Sequence, residues 1–453
     1  MPPDPAPALS SSTAAVWIDL TDIFSWYVVN PYPTGIRQFI EACLRSEAFR
    51  SDPRLRYCYV QSRWKMLEVP RSLVNRFLSV NAEEFGEALQ EIRSRYVDAP
   101  VTDDKSPPPE KTARTSWKDR IFGGDTAPAK QADSPPERCR PGDGDCFIVL
   151  GAFWGRCAVD LILPKIKKKR VKVVAMIHDI SPLTHPHFHP VEVVQQFAES
   201  VPHLLQHSDM IIAPSEHTLK MVSHHLAAEM PGSSESKWPA LRRIVMPECF
   251  TSRIPTKADD KPSTEAVAFL ASAGEFVLIV STLEPRKNHL CAIKAWAQLY
   301  LELGEACPVL VLIGKQGWHN EFTMAKLREL NYLNGKIVHF AGVPSDVVAQ
   351  FYDRCLFTLF PSFDEGFGLP VTESLARGKR CLAADIPVLR ETGKNAATYF
   401  NPYDHADLAA KVLHLLEESR AEPAAPPIIT PHTHDECGRS IIERIDQCLD
   451  SCR

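Results

Sequence analysis

At 453 residues, 44% hydrophobic and 24% charged, the chain is long enough for two ordinary domains plus extra segments. Its net charge of −5 argues against a nucleic-acid binder as a whole, and no apolar run approaches the roughly 20 residues that span a bilayer. The thirteen cysteines are scattered without a C-x-x-C, mostly within apolar runs, which fits a reducing, cytoplasmic compartment and small buried hydrophobes rather than disulfides. Residues 1–15 are rich in Pro, Ala and Ser. They lack the basic and apolar regions of a signal peptide and read as disordered.

Residues 16–20 read as a first strand, followed by the turn-rich Asn30-Pro31-Tyr32-Pro33-Thr34-Gly35. A helix then starts near Ile36, with Phe39, Ile40 and Leu44 at helical spacing. This glycine loop either closes on a ligand or is a simple turn. Residues 56–60 predict a strand and 82–97 a polar amphipathic helix. Residues 98–144 hold Pro107-Pro108-Pro109, Pro135-Pro136 and many charges with few aliphatics, the composition of a disordered insertion, although 117–122 could be a short docking element. Asp143-Gly144-Asp145 at its border reads as a turn before a strand rather than a metal motif.

Order resumes with a strand at 146–151, a helix at 159–166, and the basic run Lys167-Lys168-Lys169-Arg170. That run is either a solvated helix end set against the dipole or a point of peripheral contact with an anionic membrane surface. The strand 171–177 ends in His178-Asp179, where ligands bind in open α/β sheets. His185, His187 and His189 alternate as metal ligands on a strand would, but Pro186 and Pro190 interrupt the run, so no metal is expected. A helix at 191–206, a strand at 210–213, a helix capped by Ser215 and a strand at 243–246 complete a parallel α/β domain over 16–250.

Residues 251–274 read as the linker to a second α/β series, 275–453. Its strands are predicted at 275–282, 309–313, 337–340, 356–360 and 380–383, with a Pro/Ala-rich break at 421–431 and a final amphipathic helix at 436–449. Two such domains imply a ligand cleft between them. Two stretches of the second domain carry chemistry. The first is Glu284-Pro285-Arg286-Lys287-Asn288-His289, where the adjacent Arg and Lys at a strand end suit a diphosphate. Gly314-Lys315-Gln316-Gly317 also follows a strand and could line the same crevice. The second is 361–373, Pro-Ser-Phe-Asp-Glu-Gly-Phe-Gly-Leu-Pro-Val-Thr-Glu. Pro361 ends a strand, Gly366 and Gly368 permit a tight turn, and Pro370 suits a first helical turn running to Gly378. Helix N–H groups favour phosphate, whereas Glu365 and Glu373 favour hydroxyls, so the turn reads as a site for a phosphorylated sugar.

Glu365 and Glu373, with seven residues between them, resemble the E-x7-E motif of family 4 retaining glycosyltransferases. Ser281-Thr282-Leu283-Glu284-Pro285-Arg286-Lys287-Asn288 resembles that family's basic donor motif. Ile177-His178-Asp179 and Thr34-Gly35-Ile36-Arg37 resemble first-domain motifs of its bacterial mannosyltransferases of polysaccharide and lipopolysaccharide assembly. The resemblance is strongest over 275–400 and absent in 98–144. It implies the GT-B fold, two Rossmann-like parallel-sheet domains facing across a cleft. It also implies roles: Arg286 and Lys287 neutralising the leaving diphosphate, Glu373 on the ribose, Glu365 on the donor sugar, and His178 at the reacting centre. Gly366, Phe367, Gly368 and Leu369 would present N–H groups, and the Gly35 loop would close over the phosphates.

The activity implied is retaining transfer of a hexose from a nucleotide sugar, GDP-mannose ahead of a UDP-sugar, to a saccharide or lipid-linked saccharide. No metal or other cofactor is required, and the enzyme would work in the cytoplasm or at the inner membrane face. The competing readings are a UDP-sugar-dependent enzyme of the same fold and a non-catalytic sugar-nucleotide-binding scaffold. A Rossmann dehydrogenase is disfavoured, because Val371 stands where G-x-G-x-x-G needs its third glycine.

Overall fold

The computed structural model describes residues 14–30, 35–62, 65–98, 135–154, 159–229, 238–246, 264–421 and 432–451. Residues 251–263 of the expected 251–274 linker, the possible docking element at 117–122 and most of the N-terminal stretch lie outside them.

The first domain is built on seven strands: β1 (Val16–Asp19), β2 (Leu55–Ser62), β3 (Lys65–Val69), β4 (Cys146–Val149), β5 (Lys172–Met176), β6 (Met210–Ala213) and β7 (Ala240–Arg243), in the order β3-β2-β1-β4-β5-β6-β7. All pairs are parallel except β2 with β3. Strands β1, β4 and β6 are buried along their whole length, which is why they read as unbroken apolar runs. The second domain has six parallel strands: β8 (Phe276–Val280), β9 (Val309–Ile313), β10 (Ile337–Phe340), β11 (Thr358–Phe360), β12 (Cys381–Ala384) and β13 (Thr398–Phe400), in the order β10-β9-β8-β11-β12-β13. Strand order reverses between β8 and β11, so a crevice opens at their carboxyl ends. Both chemistry-bearing stretches of this domain emerge there.

The structure differs from the sequence reading at several places. Residues 135–144 are not all insertion: Glu68 N–H donates to the Glu137 carbonyl (2.8 Å) and Cys139 N–H to the Met66 carbonyl (3.0 Å), so this stretch runs along β3 with Cys139 buried. Residues 264–272 are not linker but a helix, Thr264–Ser272, whose Ala266 and Leu270 pack with Phe276 and Phe351 of the second domain. As the interrupting prolines imply, His187 lies in a 3-10 turn, Pro186–Phe188, and not on a strand. The predicted strand at 243–246 lies earlier, at Ala240–Arg243. The helix Thr21–Val29, strand β3 and strand β13 were not anticipated.

The final helix, His434–Asp450, does not stay with the second domain. It starts with a capping box between Thr433 and Glu436, and its buried Cys437, Ile441, Ile442, Ile445 and Cys448 join the core that holds Phe39, Ile40 and Leu44. Gly438 permits this approach, since a Cβ there would lie 2.1 Å from Ser46 Oγ. Arg54 bridges to Asp446 at 2.6 Å, and Ser440 Oγ accepts from Val245 N–H at 3.1 Å. The amphipathic pattern announces one buried face but not its partner. Among the described residues no helix is long and apolar enough to cross a membrane. Ile445→Ala should lower the stability of the first domain by about 2–5 kcal/mol, read as an earlier urea midpoint. An unchanged midpoint would contradict this docking.

Candidate active site

The turn after β8 is a short 3-10 helix, Pro285–Lys287, ending at Asn288 in the left-handed region (φ 56°). It presents Arg286 and Lys287 to the turn after β11. Lys287 Nζ donates to Glu365 Oε1 at 2.5 Å, and Arg286 to Glu365 Oε2 at 3.1 Å. Arg286 also donates to the Asp364 carbonyl (2.8 Å) and to Glu284 Oε1 (3.2 Å), while its own carbonyl accepts from Phe363 N–H (2.9 Å). The Asn288 amide donates to the carbonyls of Pro361 (3.0 Å) and Pro402 (2.9 Å), tying the loops after β11 and β13 together. Burial alone would favour a neutral Glu365, but Lys287 and Arg286 outweigh it and hold the carboxyl below its usual range. Burial likewise opposes the charge on Arg286, yet Glu365 and Glu284 keep it firmly protonated. Arg286 Nε is buried without a hydrogen-bond partner among the described residues.

Gly368 (φ 94°) is the N-cap of the helix Leu369–Ala376, with Pro370 in its first turn and no side chain capping it. Pro370 has no N–H and Val371 N–H donates to the Gly368 carbonyl at 3.0 Å, which leaves the Leu369 N–H without an intrahelical acceptor. The stretch before it is a wedge between domains. A Cβ on Gly366 would lie 2.0 Å from the His178 carbonyl oxygen. The Gly366 carbonyl accepts from Ser215 Oγ (2.6 Å) and Thr218 Oγ1 (3.1 Å) of the first domain. Phe367 and Leu369 pack on the first domain's core, and an added Cβ on Gly35 would contact Leu369 at 3.5 Å. Glu391 secures the same interface by accepting from the N–H groups of Glu216 (2.9 Å) and His217 (3.1 Å) at the start of the Glu216–Glu229 helix.

His178 Nε2 donates to the Leu150 carbonyl at 2.8 Å, and the ring meets Phe39 edge-on at 5.3 Å. Desolvation outweighs that hydrogen bond and lowers its pKa to about 4, so the ring is neutral at physiological pH. Nε2 carries the proton, because a carbonyl only accepts. Glu373 stands apart from the Glu365 cluster. It accepts from the Tyr352 hydroxyl at 3.0 Å, and burial raises its pKa to about 7.

The structure thus joins Arg286, Lys287 and Glu365 directly and sets His178, Gly35, Gly366, Phe367 and Leu369 at one interface. Lys315, on the 314–317 loop, reaches across to the Trp26 ring (5.3 Å), which also carries Arg37 (4.3 Å). The sequence reading missed Asp22, which is ion-paired to Arg37 and accepts from Ala152 N–H at 3.0 Å. It also missed Asp364, which is buried with His185 and His217 of the first domain each 3.6 Å away. Asp364 adjoins Glu365 in the sequence, but its histidine partners are set only by the fold.

Comparisons with known proteins bear on the fold of both domains. Residues 260–425 match the model for "Glycosyl transferases group 1", and residues 143–229 match "Glucosyltransferase 3-like, N-terminal domain". The Escherichia coli serotype-specific mannosyltransferase WbdA is 27% identical over 237 residues, which are 52% of this chain and 29% of that protein. O-antigen chain mannosyltransferase B, also from E. coli, is 27% identical over 249 residues, 54% of this chain and 62% of its own. The match therefore spans less than two thirds of either relative. Anabaena Alr3699/HepE, solved in complex with UDP, aligns over 97% of this chain and 100% of its own at 13% identity and TM-score 0.50, a likeness of fold. Residues 260–425 thus match a glycosyl transferases group 1 domain, and the chain has the two-domain GT-B fold.

Proposed function

We propose that the protein is a retaining, metal-independent glycosyltransferase of polysaccharide or lipopolysaccharide assembly. It moves mannose from GDP-mannose to a saccharide or lipid-linked saccharide. The observation that carries this reading is the Arg286–Lys287–Glu365 cluster at the β8/β11 switch point, with the His178 backbone against Gly366. The mannose assignment draws support from the names of the similar chains, WbdA and O-antigen chain mannosyltransferase B.

In this reading the donor's C1–O bond to the diphosphate breaks as the acceptor oxygen bonds to C1 on the same face. The acceptor proton passes to the departing phosphate oxygen, giving a nucleoside diphosphate and the glycosylated acceptor. Lys287, the unpartnered Nε of Arg286 and the Leu369 N–H at the helix start stabilise the charge that develops on the leaving group. Glu365, kept ionised, orients sugar hydroxyls, and neutral His178 accepts from one through Nδ1 without adding charge. Glu373 accepts from the ribose hydroxyls. The alternative donor, a UDP-sugar, uses the same cluster.

A thermal-shift panel of nucleotide sugars tests the donor directly: GDP-mannose should raise Tm most. Lys287→Ala should weaken its binding about 10- to 100-fold, as loss of one charge-assisted contact does. A protein that responds to no nucleotide sugar would sink the reading. A further expectation concerns pH. Glu373 is protonated below about 7 and binds hydroxyls best when ionised. Donor affinity should therefore tighten between pH 6 and pH 8, and Glu373→Gln should flatten the profile. An unaltered slope in that variant would remove Glu373 from the donor site.

A further inference from the structure

A row of aromatic rings leads from the domain interface to the surface. Phe363 lies two residues before Glu365, and its ring stacks on Phe188 of the first domain, with centroids 5.4 Å apart and planes 6° apart. Its other neighbour is Tyr403, at 5.1 Å and 31°. Behind Phe188 stand His187 at 4.1 Å and His185 at 6.0 Å. Tyr403, at the outer end, is 81% exposed. A lone exposed aromatic needs no explanation. An exposed ring continuous with a stack whose inner member, His185, lies 3.6 Å from the buried Asp364 carboxylate is different, because it forms a wall leading to the site.

The wall is held in place. Asn288 ties the Pro361 and Pro402 carbonyls, so the loops that carry Phe363 and Tyr403 move together. Trp318 Nε1 donates to the Phe188 carbonyl at 2.9 Å and fixes the first-domain ring against the second domain. Fixed rings lose little freedom on meeting a ligand. Their faces carry the negative side of the aromatic quadrupole, which suits the weakly positive C–H face of a sugar ring. The imidazoles behind Phe188, His185 and His187, suit the hydroxyls at that ring's edge. Its second-domain rings follow β11 and β13, and its first-domain ring is held by Trp318, which follows β9.

We propose that Phe188, Phe363 and Tyr403 form a saccharide subsite on which a sugar ring of the acceptor stacks. The inference rests on the glycosyl-transfer reading and extends it to the acceptor. Because both domains contribute a ring, the subsite is complete only when they are together, which couples acceptor binding to closure.

The test pairs two titrations of the intact protein: GDP by calorimetry, and di- and trisaccharides of mannose, glucose, galactose and N-acetylglucosamine by saturation-transfer NMR. Tyr403→Ala should weaken the best-bound oligosaccharide about tenfold, Tyr403→Trp should restore it, and GDP affinity should stay within about twofold. Equal oligosaccharide binding by Tyr403→Ala and the parent would overturn the subsite, as would a parent that binds no oligosaccharide in the panel. An equal loss of GDP affinity would overturn it by reassigning the wall to the nucleotide base. Failure of GDP to bind the parent would strike the transferase reading itself, and the subsite with it.

Discussion

Glu365 is a buried carboxylate gripped by two half-buried cations, and the arrangement of the second domain's crevice depends on that grip. Burying charge is expensive, and pairs of this kind persist only where further hydrogen bonds satisfy the remaining groups. Here they do: Arg286 also binds Glu284 and the Asp364 carbonyl, and Phe363 N–H closes on the Arg286 carbonyl. The turns after β8 and β11 are thereby locked to each other. The parallel sheet brings their starting points side by side, and the ion cluster sets the distance and orientation of the 366–369 stretch beyond them.

That lock has a second consequence. It aims residues 366–369 at the first domain, where Gly366 lies against the His178 backbone and Phe367 and Leu369 enter the neighbouring core. Polar contacts surround the wedge: Ser215 and Thr218 on the Gly366 carbonyl, and Glu391 at the start of the Glu216–Glu229 helix. The final helix reinforces the union from behind by packing its apolar face on the first domain's core. The site is therefore a property of the pair of domains, and residues that look like donor ligands in isolation also serve as interface.

Much of this was legible in the sequence, for a physical reason. Strands buried on both faces read as unbroken apolar runs, so β6 and β9 fell where the apolar runs put them. Strand β13 has three residues and β3 is an antiparallel edge with half-buried positions, so neither carries that signal. The Glu365 turn was legible because glycine, proline and carboxylate chemistry is local. The attachment of Arg286 to the Asp364 carbonyl was not, since Asp364 is far from Arg286 in the chain. Likewise the final helix advertised an apolar face, but the surface it covers is fixed only by tertiary packing.

The central claim is that the two domains share one site through the Gly366 approach. A side chain at that position would collide with the His178 carbonyl, whose oxygen lies 2.0 Å from where a Cβ would stand. The most direct measurement is sugar transfer from labelled GDP-mannose by Gly366→Val, with GDP binding followed in parallel by calorimetry. The shared site predicts loss of transfer, while GDP still binds the second domain. Transfer at the parental rate would contradict it.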